Sequence, residues 1–166
     1  MMTIDKDSLF RNASGTSLPL TEVCTRILNY LGADPQRQYR LSVGTDSMTY
    51  QDTVFVLAIV VHKVGNGGIY FYRKMKHEAV KDLRSKLYAE TQLSLDAIDL
   101  LVGELLQKDP GSADNVELSI HLDIGKNGPT KELIRELEGW VTAMGYDYAI
   151  KPDSYAASSI ADIYSK

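Results

Sequence analysis

Cysteine is nearly absent: Cys24 stands alone, which excludes an intramolecular disulfide, a thiolate zinc site and a disulfide-stapled secreted scaffold. Long apolar runs are missing too. The longest, Val54 to Val61, is far too short to span a bilayer, and the opening Met1-Met2-Thr3-Ile4-Asp5-Lys6-Asp7 carries acids where a secretory leader needs an apolar stretch. The expected setting is the cytoplasm, with no membrane partner. Nor is there a surplus of positive charge, since 18 Lys and Arg stand against 22 Asp and Glu for a net charge of −4. A polyanion would meet no global attraction, so a nucleic-acid partner would have to be held by a local basic patch or through metal ions. What is present, 166 residues of which 44% are apolar and 24% charged, suffices for one domain with a full hydrophobic core.

Residues 1–19 are polar and carry Asn12, Ser14, Gly15, Ser17 and Pro19, which predicts a loosely held N-terminal arm. Leu20, Val23, Ile27, Tyr30 and Leu31 then recur at helical spacing, with Thr21 as the N-cap and Gly32 past the end. Residues 1–33 thus read as an arm and a packing helix, and residues 34–166 as the main body. After Asp34-Pro35 the stretch Leu41-Ser42-Val43-Gly44-Thr45-Asp46-Ser47 forms a short strand that ends at polar residues. Alternation puts Leu41, Val43 and Thr45 on one face and Ser42, Gly44 and Asp46 on the other, a small face that lets a ligand approach beside the carboxylate. Val54 to Val61 is apolar without alternation and reads as a strand buried on both faces. Gly65-Asn66-Gly67-Gly68 lies between two strand patterns and so predicts a hairpin turn rather than a phosphate loop. Ile69 to Lys74 completes an antiparallel meander.

From Glu78 to Gln107 runs a long helical pattern, with Leu83, Leu87, Thr91, Leu95, Ile98, Val102 and Leu105 on one face. At about 100° per residue, Asp82, Asp96 and Asp99 fall away from that stripe while Glu90 falls on its margin, where it can reach the sheet. Val116 to Asp123 alternates, with His121 and Asp123 on the face opposite Val116, Leu118, Ile120 and Leu122. A second strand therefore delivers a carboxylate. Pro129 opens a helix with Leu133, Leu137, Trp140, Val141 and Met144 facing the core and Gly145 at its end. Tyr146 to Lys151 is a short strand, and Pro152-Asp153-Ser154 starts a last helix that carries Ile160, Asp162 and Ile163. An acid in a final turn opposes the helix macrodipole by about 0.3–1 kcal/mol, so Asp162 calls for a role other than packing. Asp153 is explained as an N-cap.

The order of elements, with Asp46, Glu90, Asp123 and Asp162 at their ends and margins, resembles the ribonuclease H-like superfamily over roughly residues 38–166. The string Glu90-Thr91-Gln92-Leu93-Ser94-Leu95-Asp96-Ala97 is similar to the family's helix motif, and Ser158-Ser159-Ile160-Ala161-Asp162 to its terminal one. Gly44-Thr45-Asp46-Ser47, His121-Leu122-Asp123-Ile124-Gly125 and Lys151-Pro152-Asp153-Ser154-Tyr155-Ala156-Ala157-Ser158-Ser159 resemble the YkuK-type bacterial proteins, a ribonuclease H-like family. The resemblance implies an α/β fold with a mixed sheet, a three-strand meander followed by alternating helices and strands, here with an extra N-terminal helix. It further implies a metal-dependent nuclease acting on the phosphodiester bonds of RNA or DNA. Asp46, Glu90, Asp123 and Asp162 would be its catalytic residues and the ligands of two Mg²⁺ or Mn²⁺ ions, with Asp153, Ser47, His121 and Ser158 as auxiliaries and Asp153 competing with Asp162 as fourth acid.

The residues themselves support the chemistry, because gathered carboxylates repel one another unless cations occupy them, and hard oxygen ligands select Mg²⁺ or Mn²⁺. For substrate contact the basic run Arg73-Lys74-Met75-Lys76-His77, continued by Lys81, Arg84 and Lys86, offers Arg73, Lys74 and Lys76. Departures from the family pattern are visible. The stretch from Asp123 to Asp162 is too short for the extra helices and basic protrusion that many ribonucleases H use, and no histidine matches their flexible catalytic-loop one. A non-catalytic ribonuclease H-like module that binds nucleic acid or a protein partner is the alternative, and phosphoryl chemistry on a small molecule a third reading.

Overall fold

A computed structural model of the chain describes residues 2–125, 128–151, 153 and 154. The elements are β1 (Leu9–Asn12), β2 (Ser17–Pro19), α1 (Leu20–Ala33), β3 (Tyr39–Thr49), β4 (Thr53–Lys63), β5 (Gly68–His77), α2 (Leu83–Lys108), β6 (Val116–His121), α3 (Lys131–Ala143) and β7 (Asp147–Ala149). They build one mixed sheet of seven strands in the order β2-β1-β5-β4-β3-β6-β7. β3, β4 and β5 form the expected antiparallel meander. β6 lies parallel to β3, and β7 parallel to β6, the pairings that need helical crossovers, which α2 and α3 supply. No helix of the described residues is long and apolar enough to cross a membrane.

The β4–β5 connection is the hairpin turn that its glycines predict. Gly65 and Gly67 both take φ of 80°, a left-handed conformation that other residues adopt only with strain, and Lys63 N donates to Gly67 O at 2.9 Å. Gly68 is constrained differently. A Cβ there would meet Val61 O at 2.6 Å, so the strand pair closes only over a bare backbone.

Alternation then sorts the sheet's two faces. Leu41 and Val43 of β3, Phe55, Leu57, Ile59 and Val61 of β4, and Phe71 and Met75 of β5 join the residues of α1, α2 and α3 in one core. Val56 and Tyr72 point the other way, with Val54 and Tyr70 packed beside them, which bears out the reading of β4 as buried on both faces. α2 is covered around much of its girth, by the sheet on one side and by α1 and α3 on its flanks, so Glu90, Leu93 and Ala97 are buried as well as Leu87, Leu95 and Ile98.

The structure corrects several expectations. The N-terminal segment is no loose arm: β1 and β2 form a hairpin whose Phe10 and Leu18 pair across it and are 0% and 6% exposed. The physical reason is the outer edge of β5, which gains a partner when Arg11 and Asn12 pair with Tyr72 and Phe71. α1 begins at Leu20 with Pro19 in the cap position rather than at a Thr21 cap. α2 begins at Leu83, because Asp82 caps it by accepting a bond from Ser85 N at 2.8 Å. β3 runs on through Asp46 to Thr49, held by β4. The expectation for the end of α3 holds only in part: the stripe Leu133, Leu137, Val141 takes the buried side, Met144 is exposed, and Trp140 is partly buried, packed against the core at its rim and stacked on Tyr88 of α2 at 5.5 Å between ring centroids. Asp162 and Ser158 lie outside the described residues.

Candidate functional site

The site forms where β6 ends and β3 continues. Their parallel register stops at Gly44 against His121, and two residues further on Asp46 and Asp123 stand side by side on one face, as the alternation of both strands requires. Beyond His121 the chain leaves the strand, yet Leu122 and Ile124 remain buried in the core, which turns the intervening Asp123 outward. Glu90 arrives from the other direction. It sits on the second turn of α2, is buried, and accepts a 2.6 Å hydrogen bond from Ser47 Oγ.

Asp46, Glu90 and Asp123 each offer a carboxylate oxygen within 4.8 Å of the others. Three of the four predicted acids therefore come together. Asp153 is exposed and stands outside that group. Ser47 serves through Glu90, and its backbone N–H also donates to Asp46 Oδ1 at 2.8 Å.

The electrostatics follow from this crowding. Burial, above all, pushes the Asp46 carboxyl up to about 9, with a hydrogen bond to Asp123 and the charges of Asp123 and Glu90 adding to the push and the Ser47 N–H opposing it. Burial likewise raises Glu90 to about 8, helped by the Asp123 charge and opposed by the Ser47 hydroxyl, Lys86 and Lys151. Without added positive charge, burial and mutual repulsion bias both carboxyls toward their protonated forms. The donor set fits a hard divalent cation: oxygen ligands only, converging from three elements, with their charged forms held at a penalty that a cation removes.

His121 lies half-buried on the Asp123 face. Burial lowers its pKa, a hydrogen bond with the Ser154 backbone partly offsets this, and its buried Nδ1 has no hydrogen-bond partner among the described residues. The predicted substrate residues divide. Lys74 and Lys76 are exposed on the Asp46 face, and the register Asp46–Val56–Lys74 places Lys74 two strands away in the same row. Lys76 pairs with Asp52 at 3.3 Å. Arg73 projects to the helix side, where its Nη1 donates to Leu9 O at 3.0 Å and its Nε is buried; it fastens β1 to β5 and does not share the lysines' surface.

Sequence reasoning missed two contributors. Thr45 Oγ1 and Ser94 Oγ form a buried 2.8 Å hydrogen bond that ties β3 to α2 one turn from Glu90. Lys151 places its Nζ 2.9 Å from Asp123 Oδ1; its signal was a lysine at the end of the strand pattern that neighbours Asp123.

Comparison with known proteins agrees with this geometry. A family model described as "Ribonuclease H-like" matches residues 22–166. The chain is 36% identical to "Uncharacterized protein YkuK" of Bacillus subtilis (strain 168), over 95% of this chain and 97% of that protein. Among solved structures, "Structure of Mos1 transposase catalytic domain and Raltegravir with Mn" aligns at 13% identity and a TM-score of 0.30, over 78% of this chain and 57% of that one, too slight a likeness to argue from. With a family match that begins in α1 and takes in every later strand, and a relative alike over almost its whole length, the chain belongs to the ribonuclease H-like family.

Proposed function

We propose that this protein is a divalent-metal-dependent nuclease that hydrolyses phosphodiester bonds of RNA or DNA. The observation that carries the reading is the convergence of Asp46, Glu90 and Asp123 within 4.8 Å, in a chain of the ribonuclease H-like family. Asp46 and Asp123 are the central ligands for Mg²⁺ or Mn²⁺, Glu90 completes the cluster from α2, and Asp162 is the fourth acid. Bound there, two divalent ions supply an activated water and stabilise the leaving oxygen of the phosphodiester.

The chain's own residues prepare that chemistry. Asp46 and Glu90 give up their protons to become ligands, so uptake of metal is linked to proton release and strengthens as pH rises. Ser47 holds Glu90 in its rotamer with one hydrogen bond and Asp46 with another. Lys74 and Lys76 supply positive charge on the face from which Asp46 projects. At about 4.8 Å per strand spacing, Lys74 stands roughly 10 Å from Asp46, within reach of a phosphate along the strand from the one being cut.

The test combines binding and cleavage. Calorimetric titration with Mn²⁺ and incubation with end-labelled single-stranded RNA, single-stranded DNA and an RNA–DNA hybrid should show metal uptake and metal-dependent cleavage, both lost in Asp123→Asn. No uptake of Mn²⁺ at millimolar concentration sinks the reading. Uptake without cleavage of any substrate leaves the alternative, a non-catalytic module that binds nucleic acid or a protein partner.

A further inference from the structure

The β6–β7 pairing carries on past the ends of both strands. Leu122 N donates to Ala149 O at 2.9 Å and Lys151 N donates to Ile124 O at 3.0 Å. These bonds bracket Asp123 and hold the Lys151 backbone alongside it. The side chains then meet, Nζ lying 2.9 Å from Asp123 Oδ1, yet the two differ in surroundings: the Lys151 side chain is 53% exposed and that of Asp123 only 15%. A fixed backbone thus mounts an ammonium on a flexible stem, with water on one side and the carboxylate cluster on the other. Its charge also works against the upward push on the Glu90 carboxyl.

We propose that Lys151 is the built-in counter-cation of the carboxylate site, paired with Asp123 in the protein alone and turned outward toward the substrate phosphate once the carboxylates take a divalent ion. This rests on the metal-binding reading above. One positive charge offsets only part of the charge that Asp46, Glu90 and Asp123 can carry, so a doubly charged ion prevails at Asp123. A half-exposed ion pair is weak enough to open, and like charge beside the incoming ion drives it open. Released, the Lys151 ammonium has three donors and a compact charge suited to a phosphate oxygen. Lys151 therefore competes with the metal before the reaction and holds the substrate phosphate during it.

The experiment is a Mn²⁺ titration of wild type, Lys151→Gln and Lys151→Arg by calorimetry, together with thermal melts in chelator and single-turnover cleavage. Lys151→Gln is expected to bind Mn²⁺ about two- to fivefold more tightly, the range that loss of one exposed ion pair allows. It should also melt lower in chelator and cleave more slowly, while Lys151→Arg restores the Mn²⁺ affinity and the melting temperature of wild type. A lysine that merely props the loop would lower the melting temperature and leave Mn²⁺ affinity unchanged or weakened, which overturns the proposal. If wild type takes up Mn²⁺ and Lys151→Gln takes it up identically, this inference fails alone. If wild type takes up none, the metal-binding reading fails and carries this one with it.

Discussion

Replacing Asp46 with asparagine separates a metal-binding carboxylate from a structural one. Raised to about 9 from its usual 3.8, Asp46 is protonated at pH 7 in the folded chain without metal and ionised in the unfolded one. A group whose folded pKa is raised in this way makes an acid destabilising: stability is full below the unfolded value and falls as pH climbs toward the folded one. Between 3.8 and pH 7 this spans about three units at about 1.36 kcal/mol each, a ceiling of roughly 4 kcal/mol. Asp46 is half-buried, so solvent screening reduces the expected penalty to about 1–2 kcal/mol.

Asparagine removes that penalty while keeping the contacts, since its Oδ1 can accept from Ser47 N and its Nδ2 can donate to Asp123. In chelator at pH 7, Asp46→Asn should therefore melt about 2–8 °C above wild type for a chain of this size. The two proteins should converge near pH 4, and the gap should widen toward pH 8. In Mn²⁺ the order reverses, because wild type gains stability by linkage and the variant does not. Thermal melts across pH 4 to 9, with chelator and with Mn²⁺, read all of this. Parallel pH profiles, or a variant less stable than wild type at pH 8 in chelator, would refute the reasoning and leave Asp46 a structural residue of β3.

Two further outcomes test the correction of the N-terminus and the division of the basic run. Phe10→Ala should lower stability by about 3–5 kcal/mol in urea unfolding, the range for a fully buried aromatic, whereas a loose arm would give no measurable change. Lys74→Glu should weaken nucleic-acid binding and flatten its dependence on salt, while Arg73→Met should leave the salt slope alone and lower the melting temperature; equal effects on the slope would place both side chains on the substrate surface.

The fold was legible wherever a pattern ran long enough to average over. β4 announced itself by an unbroken apolar run and its hairpin by glycines that the turn requires, and the mixed sheet of a meander followed by alternating helices and strands came with the family resemblance. The first hairpin left no such trace. β1 has four residues and β2 three, so each contributes a single buried side chain, Phe10 and Leu18, and no periodicity can be read from one residue. What holds them is the edge of β5, a fact about pairing partners rather than about the segment itself. Trp140 is only partly buried for a related reason. A position one residue off the Leu133–Leu137–Val141 line is core or rim depending on how α3 rolls against α2, and the stack on Tyr88 shows that the roll leaves it at the rim.

The acids of the site were legible because each obeys a strong local rule. Asp46 and Asp123 occupy outward positions of alternating strands, and Glu90 occupies the margin of a helical stripe. Their supports obey no local rule, since each depends on a register or rotation set elsewhere. Arg73 shows how little separates the two cases, for alternation along β5 already puts it on the face opposite Lys74 and Lys76, and the carbonyl of Leu9, far away in sequence on the neighbouring strand β1, gives its cation a partner there. The Thr45–Ser94 bond is the more consequential support. Buried and mutually satisfied at 2.8 Å, the two hydroxyls fix the rotation of α2 about its own axis relative to β3, because sliding or rolling the helix would leave both unpaired at roughly 1–3 kcal/mol each. Ser94 lies four residues beyond Glu90, one turn along the same face, and Thr45 lies two before Ser47 on the same side of the strand. The rotation that pairs Thr45 with Ser94 is thus the one that brings Glu90 to Ser47, and through it to Asp46 and Asp123.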